Sequence, residues 1–331
     1  MTAVQRAGGA SPVDFAVFGD YGDFRRKRPQ PATGEFVRPA CPFRGRITAD
    51  GSSGYPAVAG RYHLYISWAC PWAHRTAIAR QLPGLQQAAS LSAAGPVRDG
   101  RGWAFRAGPG PSLDPVNGFS LNREAYQATD PGYDGHISVP VPWDRQAGRI
   151  ASSTFPGITI DLDTQFGAFA NGTDLYPAAL RPAIDAINAV ACQTANNGVY
   201  RSGMAASQQA HHDAASRVFA TLDDLEQRLA GRRSLLGDAV TEADVGLRVT
   251  LARLDAVCHH HFKTNLRRLT DYPNLWGYAR DLYSLPAFRA TTNSDHIKRH
   301  YYTTHPHINP ARIIPDGPLP DWAAPHDRTL S

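Results

Sequence analysis

The stretch Tyr65-Ile66-Ser67-Trp68-Ala69-Cys70-Pro71-Trp72-Ala73-His74-Arg75 constrains this chain more than any other. An apolar, strand-like run from Tyr62 to Ile66 ends at a Cys-Pro pair, and a helix-compatible run continues to Gln81. Cys70 therefore stands where a strand hands over to a helix N-terminus, with Pro71 in the first turn. Proline is favoured there because the N–H it lacks would have no intrahelical partner. The remaining free N–H groups and the helix dipole favour a negative sulfur, so the Cys70 pKa is expected below that of a free thiol. Thiolate is the nucleophilic form. Ala73 stands where a dithiol redox motif carries its second cysteine, so an adduct on Cys70 needs a second thiol from solution to resolve it. The alternative is an inert, buried cysteine in a strand–helix turn, a costly position for a merely structural thiol.

Composition narrows the class. A chain of 331 residues with 42% hydrophobic content is long enough for two folded domains. No run of eighteen apolar residues is present, so no membrane-spanning helix is expected, and Met1 to Pro12 lacks the apolar core of a secretory signal. A cytoplasmic location is the expectation. Four scattered cysteines (Cys41, Cys70, Cys192, Cys258) suit a reducing compartment rather than a disulfide framework. The net charge is +5, but only three of the 34 basic residues are lysine, and with abundant Ala, Gly and Pro this suits a GC-rich coding sequence. The one dense basic run, Arg25-Arg26-Lys27-Arg28, has no interleaved aromatics and reads as a solvated loop, so no nucleic-acid partner is expected.

Along the chain, residues 1–60 are rich in Gly, Pro and charge and read as an extended arm. Residues 85–135 read as a long excursion containing Trp103-Ala104-Phe105. Ile137 to Trp143 reads as a strand, and Val139-Pro140-Val141 inside it points to an edge or a special peptide bond. A helix is expected from about Ser152. From Leu175 the segments 177–195, 206–230, 241–262 and 272–283 carry apolar residues at helical spacing. Thr241-Glu242-Ala243-Asp244 reads as a helix cap, with Leu247, Val249, Leu251, Leu254 and Val257 as the buried stripe that follows. The order is a βαβ unit, a proline-containing strand and an all-helical second half, with a boundary at 165–178. The tail from 302, rich in Pro and His, is expected to wrap the surface.

Five motifs together resemble the glutathionyl-hydroquinone reductases, the Xi class of the glutathione transferases. They are Gly34-Glu35-Phe36-Val37-Arg38-Pro39, the run from Cys70 to Arg75, Asn196-Asn197-Gly198-Val199-Tyr200, Asp271-Tyr272-Pro273-Asn274-Leu275-Trp276 and Asp295-His296-Ile297-Lys298-Arg299-His300-Tyr301-Tyr302. The resemblance runs from about residue 30 to about 316. It implies an α/β plus all-α fold: an arm at 1–60, a thioredoxin-like domain at 61–170, a glutathione-transferase-type helical domain at 171–301 and a tail at 302–331. It also implies a homodimer and a reaction in which a thiolate removes the thiol from an S-conjugated hydroquinone. On this resemblance Cys70 is the nucleophile, Val139-Pro140 is a cis-proline element that pairs with the thiol backbone, and Trp103 packs on the thiol. Tyr200 and Tyr301 are the catalytic tyrosines of the quinol pocket, with Trp72 and Cys258 also lining it. His136, Ser153, Thr154 and Phe155 fall in the thiol-binding site.

The departures from the family pattern bear on the thiol. Where the family has Glu-Ser to hold the γ-glutamyl end of glutathione, this chain has Thr154-Phe155, and His136 replaces the usual arginine before the strand. A charged group left unpaired in a site costs several kcal/mol. The expected co-substrate is therefore a low-molecular-weight thiol without that end, such as mycothiol, rather than glutathione, the family ligand. Cys258 replaces a third family tyrosine; it is either a second thiol or a small residue that enlarges the quinol site. The run Cys258-His259-His260-His261 lacks zinc spacing, so surface histidines and no metal are expected. Two other functions stay open at this stage: a transferase that forms conjugates, and a non-catalytic protein binding thiols or aromatics.

Overall fold

The computed structural model describes residues 9–20 and 31–328, and the Arg25–Arg28 run lies outside them. The described chain divides into two compact units. The first comprises 9–20, 39–172 and 293–304; the second comprises 31–38, 173–292 and 305–328.

The first unit holds four strands and, ahead of its last helix, three α-helices: β1 (Tyr62–Ile66), α1 (Pro71–Gln81), β2 (Ala89–Ala93), α2 (Asn122–Thr129), β3 (Val141–Asp144), β4 (Arg149–Ile150) and α3 (Phe155–Thr164). The sheet order is β2-β1-β3-β4. β1 runs parallel to β2, and parallel neighbours need a crossover, which α1 supplies. β3 pairs antiparallel with β1, with Tyr65 opposite Val141 and Tyr62 opposite Asp144. Every residue of β1 is buried, as expected of a strand covered on both faces. Arg61 fastens the end of this pair through a two-pronged bond to Asp144, 2.9 Å from Nε and 2.5 Å from Nη2.

Two sequence expectations are corrected here. The strand read over Ile137 to Trp143 begins only at Val141. The Val139–Pro140 bond is cis, and the Ser138 backbone is taken by the Tyr126 hydroxyl and the Asn122 amide instead of by β1. That cis bond is the special peptide bond to which Val139-Pro140-Val141 points, and β3 lies between β1 and β4 rather than at an edge. The helix expected from Ser152 begins at Phe155 because Ser152 bridges Arg44 and the Ser153 N–H bonds the Phe43 carbonyl, 2.8 Å away.

The second unit is helical: α4 (Arg181–Ala191), α5 (Gly198–Gly203), α6 (Gln208–Leu229), α7 (Glu242–Arg253), α8 (Pro273–Ser284) and α9 (Pro286–Thr291). α4 runs on into a π-helical turn, Cys192–Asn196, and α7 into another, Leu254–His259. α7 is buried all round, so Leu247, Val249 and Leu251 are covered together with Arg248 and Arg253. Its cap forms as the sequence implies. The buried Asp244 carboxylate accepts the Thr241 N–H (2.7 Å) and hydroxyl (2.8 Å), the Leu235 N–H (3.0 Å) and the Tyr278 hydroxyl (2.9 Å). Burial raises the Asp244 pKa above the usual carboxylate range.

The last helix, α10 (Ser294–Thr304), belongs to the first unit, so neither 31–38 nor 293–304 follows the ranges drawn from sequence texture. The tail after it is laid on the second unit. Trp322 packs on Trp276 at 5.0 Å between ring centroids, and the buried Arg248 guanidinium lies 4.4 Å from the Trp322 ring. Arg328 donates to the Leu229 and Arg232 carbonyls, capping the C-terminal end of α6.

Asp244→Ala removes a cap and leaves the Leu235 N–H, the Thr241 N–H and the Tyr278 hydroxyl without their acceptor. It is expected to cost about 2–4 kcal/mol, more than an ordinary cap. Urea unfolding followed by far-UV circular dichroism checks this, and a loss under about 1 kcal/mol would show that the cap is dispensable.

Candidate active site

Cys70 is the N-cap of α1, with extended backbone and Pro71 at the first helical position. Its carbonyl accepts the His74 N–H at 2.9 Å, so the helix begins directly behind the sulfur. The thiol donates to the Val139 carbonyl across 3.5 Å. That carbonyl belongs to the cis Val139–Pro140 bond, immediately before β3. The β1–β3 register therefore delivers both partners: β1 ends four residues before Cys70, and β3 starts just after Pro140. Both Cys70 and Val139 are buried, at 9% and 3% exposure.

The segment after β4 lies in the same unit. The Ser153 hydroxyl donates to the Phe43 carbonyl at 3.2 Å, and the Thr154 hydroxyl donates to the same carbonyl at 3.3 Å. Phe155 opens α3 and stacks on Trp72 of α1, with centroids 4.3 Å apart and planes 30° apart. The Arg75 guanidinium lies 5.8 Å from the Phe155 ring. His136 is half-buried, and its carbonyl accepts the Tyr133 hydroxyl at 2.8 Å.

Trp103 is buried, with His300 of α10 stacked on it at 4.9 Å and 21°. The Arg98 guanidinium lies 4.7 Å from the same ring. His300 Nδ1 faces the Pro96 carbonyl at 2.8 Å, so Nδ1 carries the proton and a neutral ring keeps its lone pair on Nε2. Tyr301 sits edge-on to His300 at 5.2 Å and is itself buried. Sequence reading did not single out His300 or Arg98. His300 was visible as the neighbour of Tyr301 in a matched motif; Arg98 sits in an aperiodic stretch that gives no signal.

Tyr200 and Cys258 lie in the second unit. The Tyr200 ring meets Phe262 at 5.5 Å and Phe36 at 6.4 Å, and the Arg38 guanidinium stands 4.8 Å from it. Gly203 permits this packing, because a Cβ there would fall 2.1 Å from the Phe262 ring. Cys258 is 2% exposed, and burial pushes its thiol up to about 12. It is therefore protonated near neutral pH, which disfavours a nucleophilic role.

The histidine run is corrected. His260 is exposed and His259 half-buried, but His261 is buried, with Nε2 3.0 Å from His305 Nδ1. Burial pushes its pKa down to about 3. The π-helical turn Leu254–His259 carries more residues per turn than an α-helix, so an α-helical projection misplaces the residues after it. Among the described residues no group of three or more His, Cys, Asp or Glu side chains could hold a metal ion, and no helix is long and apolar enough to cross a membrane.

Comparison with known proteins places these features. Residues 208–281 match the family model for the glutathione S-transferase C-terminal domain. The chain is 43% identical over 305 residues to the glutathionyl-hydroquinone reductase YqjG of Escherichia coli K12, covering 90% of this chain and 93% of the relative. It is 44% identical over 288 residues to the glutathionyl-hydroquinone reductase PcpF of Sphingobium chlorophenolicum, covering 86% and 90%. The glutathione-bound structure of YqjG superposes with a TM-score of 0.85, covering 88% of this chain and 97% of that one. The glutathione S-transferase Xi of Phanerochaete chrysosporium gives the same TM-score at 42% identity, covering 88% and 100%.

A buried thiol held protonated should not react while the fold is intact. Cys258→Ser is expected to leave the number of thiols titrated by an aromatic disulfide at pH 7.5 unchanged in the native protein, and to lower it by one in denaturant. Rapid native labelling lost in Cys258→Ser would overturn the assignment.

Proposed function

The chain belongs to the glutathionyl-hydroquinone reductases, the Xi class of the glutathione transferases, and on that premise we propose that it removes a small thiol from S-conjugated hydroquinones through a mixed disulfide on Cys70. The observation that carries this reading is the placement of the Cys70 sulfur at the N-terminus of α1, 3.5 Å from the carbonyl of a cis-proline bond. The helix end favours the thiolate, and the carbonyl marks where a bound thiol's backbone would pair.

The chemistry balances as follows. The Cys70 thiolate attacks the sulfur of the conjugate. The electron pair of the ring carbon–sulfur bond passes to the ring, and that carbon takes a proton. The ring is reduced, and the two sulfurs are oxidised to the Cys70 mixed disulfide. A second thiol then attacks the disulfide and releases a symmetric disulfide with Cys70 restored. Tyr301 and Tyr200 are assigned the hydroxyls that bond the quinol oxygens and supply the proton. Val139, Pro140 and Trp103 are assigned to the thiol, Trp72 and Cys258 to the walls of the quinol pocket. The enzyme is read as a cytoplasmic homodimer, with a thioredoxin-like unit over 39–172 and 293–304 and a helical unit over 31–38, 173–292 and 305–328.

The thiol is proposed to lack a γ-glutamyl end, with mycothiol as the candidate. The Thr154 hydroxyl is committed to the Phe43 carbonyl, and Phe155 is stacked on Trp72. A γ-glutamyl ammonium and carboxylate brought there would meet an aromatic face and no carboxylate partner, at a cost of several kcal/mol. His136 and Ser153 complete the proposed thiol site.

The test is intact-protein mass after incubation with oxidised glutathione and, separately, oxidised mycothiol. An adduct with mycothiol alone, absent in Cys70→Ser, is expected. Turnover of the matching S-conjugated hydroquinone should fall roughly a thousandfold or more in Cys70→Ser. The double change Thr154→Glu with Phe155→Ser should shift preference toward glutathione. An adduct with glutathione alone in the unaltered protein would sink the mycothiol reading and leave the Cys70 mechanism standing. No adduct with either would count against the mechanism.

A further inference from the structure

A cavity of about 460 Å³ lies wholly within the second unit, and none of its lining residues has a role in the thiol and quinol chemistry above. One wall is the short segment Glu35 to Arg38. It is pinned to the helical unit by the Ala206 N–H on the Gly34 carbonyl (2.8 Å) and the Ser207 hydroxyl on the Thr33 carbonyl (2.7 Å). The opposite wall combines Gln193 and Thr194 of the π-helical turn with Arg201 of α5 and Arg217 of α6. π-helical turns are rare and recur at functional sites.

Three arginines, Arg38, Arg201 and Arg217, line this one space. Two carboxylates, Glu35 and Asp213, also line it, each with one oxygen engaged by a local donor. Glu35 accepts the Thr33 hydroxyl at 3.2 Å, and Asp213 accepts the Gln209 amide at 2.7 Å. Arg38 donates to the Asn197 side-chain oxygen at 2.6 Å. Arg201 makes only long bonds to Gln193, at 3.3 and 3.4 Å. Among the described residues no ion pair joins Arg201 or Arg217 to a carboxylate. Phe36, Val37, Ala210 and Ala214 supply an apolar lining between the charges.

We propose that this cavity binds a small organic polyanion, a compact apolar body carrying two or three carboxylates. The planar fork of arginine matches a carboxylate through two parallel bonds, and the forks of Arg201 and Arg217 beside apolar side chains select more than one carboxylate on one carbon frame. The volume lies within the range that small-molecule ligands occupy.

The probe is benzene-1,3,5-tricarboxylate, with the neutral benzene-1,3,5-trimethanol as its uncharged counterpart. Equilibrium dialysis of the full-length protein at low salt, read by ring absorbance, measures binding directly. Saturable, one-to-one, sub-millimolar binding of the tricarboxylate is expected, weakening as salt rises. Arg201→Gln and Arg217→Gln should each weaken it by about tenfold, the loss of one charge-assisted pair. Arg217→Lys should recover part of the loss, and matched melting temperatures show that the fold is kept. Cys70→Ser should bind as the unaltered protein does. Equal binding of the neutral triol, unchanged affinity in both Gln variants, loss of binding in Cys70→Ser, or no binding at all would each overturn the proposal.

Discussion

The antiparallel register between β1 and β3 is the constraint on which the candidate site depends. With Tyr65 opposite Val141, the end of one strand and the start of the next are held side by side. The Cys70 turn leaves one, and the Val139–Pro140 bond enters the other. Slipping this register by one residue would turn every β1 and β3 side chain to the opposite face and separate the sulfur from its carbonyl. Burial of all five β1 residues and the Arg61–Asp144 pair oppose such a slip. The reactive geometry is thus a consequence of sheet packing, with no dedicated scaffold beyond it.

Around that fixed pair, the first unit carries aromatic and cationic groups. Trp72 and Phe155 stack on each other, and Trp103 is met by His300 and Arg98. Stacked rings add roughly 0.5–1.5 kcal/mol beyond the area they bury. Phe155 therefore contributes to the packing of α3 against α1.

The second unit departs from regular helix at two π-helical turns. The turn Cys192–Asn196 precedes Tyr200 and walls the arginine-lined cavity, while Leu254–His259 carries Cys258 and redirects His261 inward. Between them α7 is buried on all sides and capped by the four-bond Asp244 carboxylate. A helix with no solvent face cannot rely on side-chain amphipathicity to set its start, so a satisfied buried cap is the determinant that remains.

Residue order alone determined the strand–Cys-Pro–helix handover, the helical second half, the Thr241–Asp244 cap and the family, because each rests on local pattern or on motifs whose residues are contiguous. It also located the Thr154-Phe155 departure. The tertiary structure alone decided where β3 begins, since that depends on Tyr126 and Asn122 claiming the Ser138 backbone from α2. It decided that Phe155 faces Trp72, that His300 and Arg98 flank Trp103, and that His261 and Cys258 are buried. These are contacts between residues far apart in the chain, and their geometry follows from how packed elements share space, which no single-segment pattern encodes. The arginine cavity is the clearest case: Arg38, Arg201 and Arg217 look like ordinary surface charges in sequence, and only the fold brings them to the lining of one cavity.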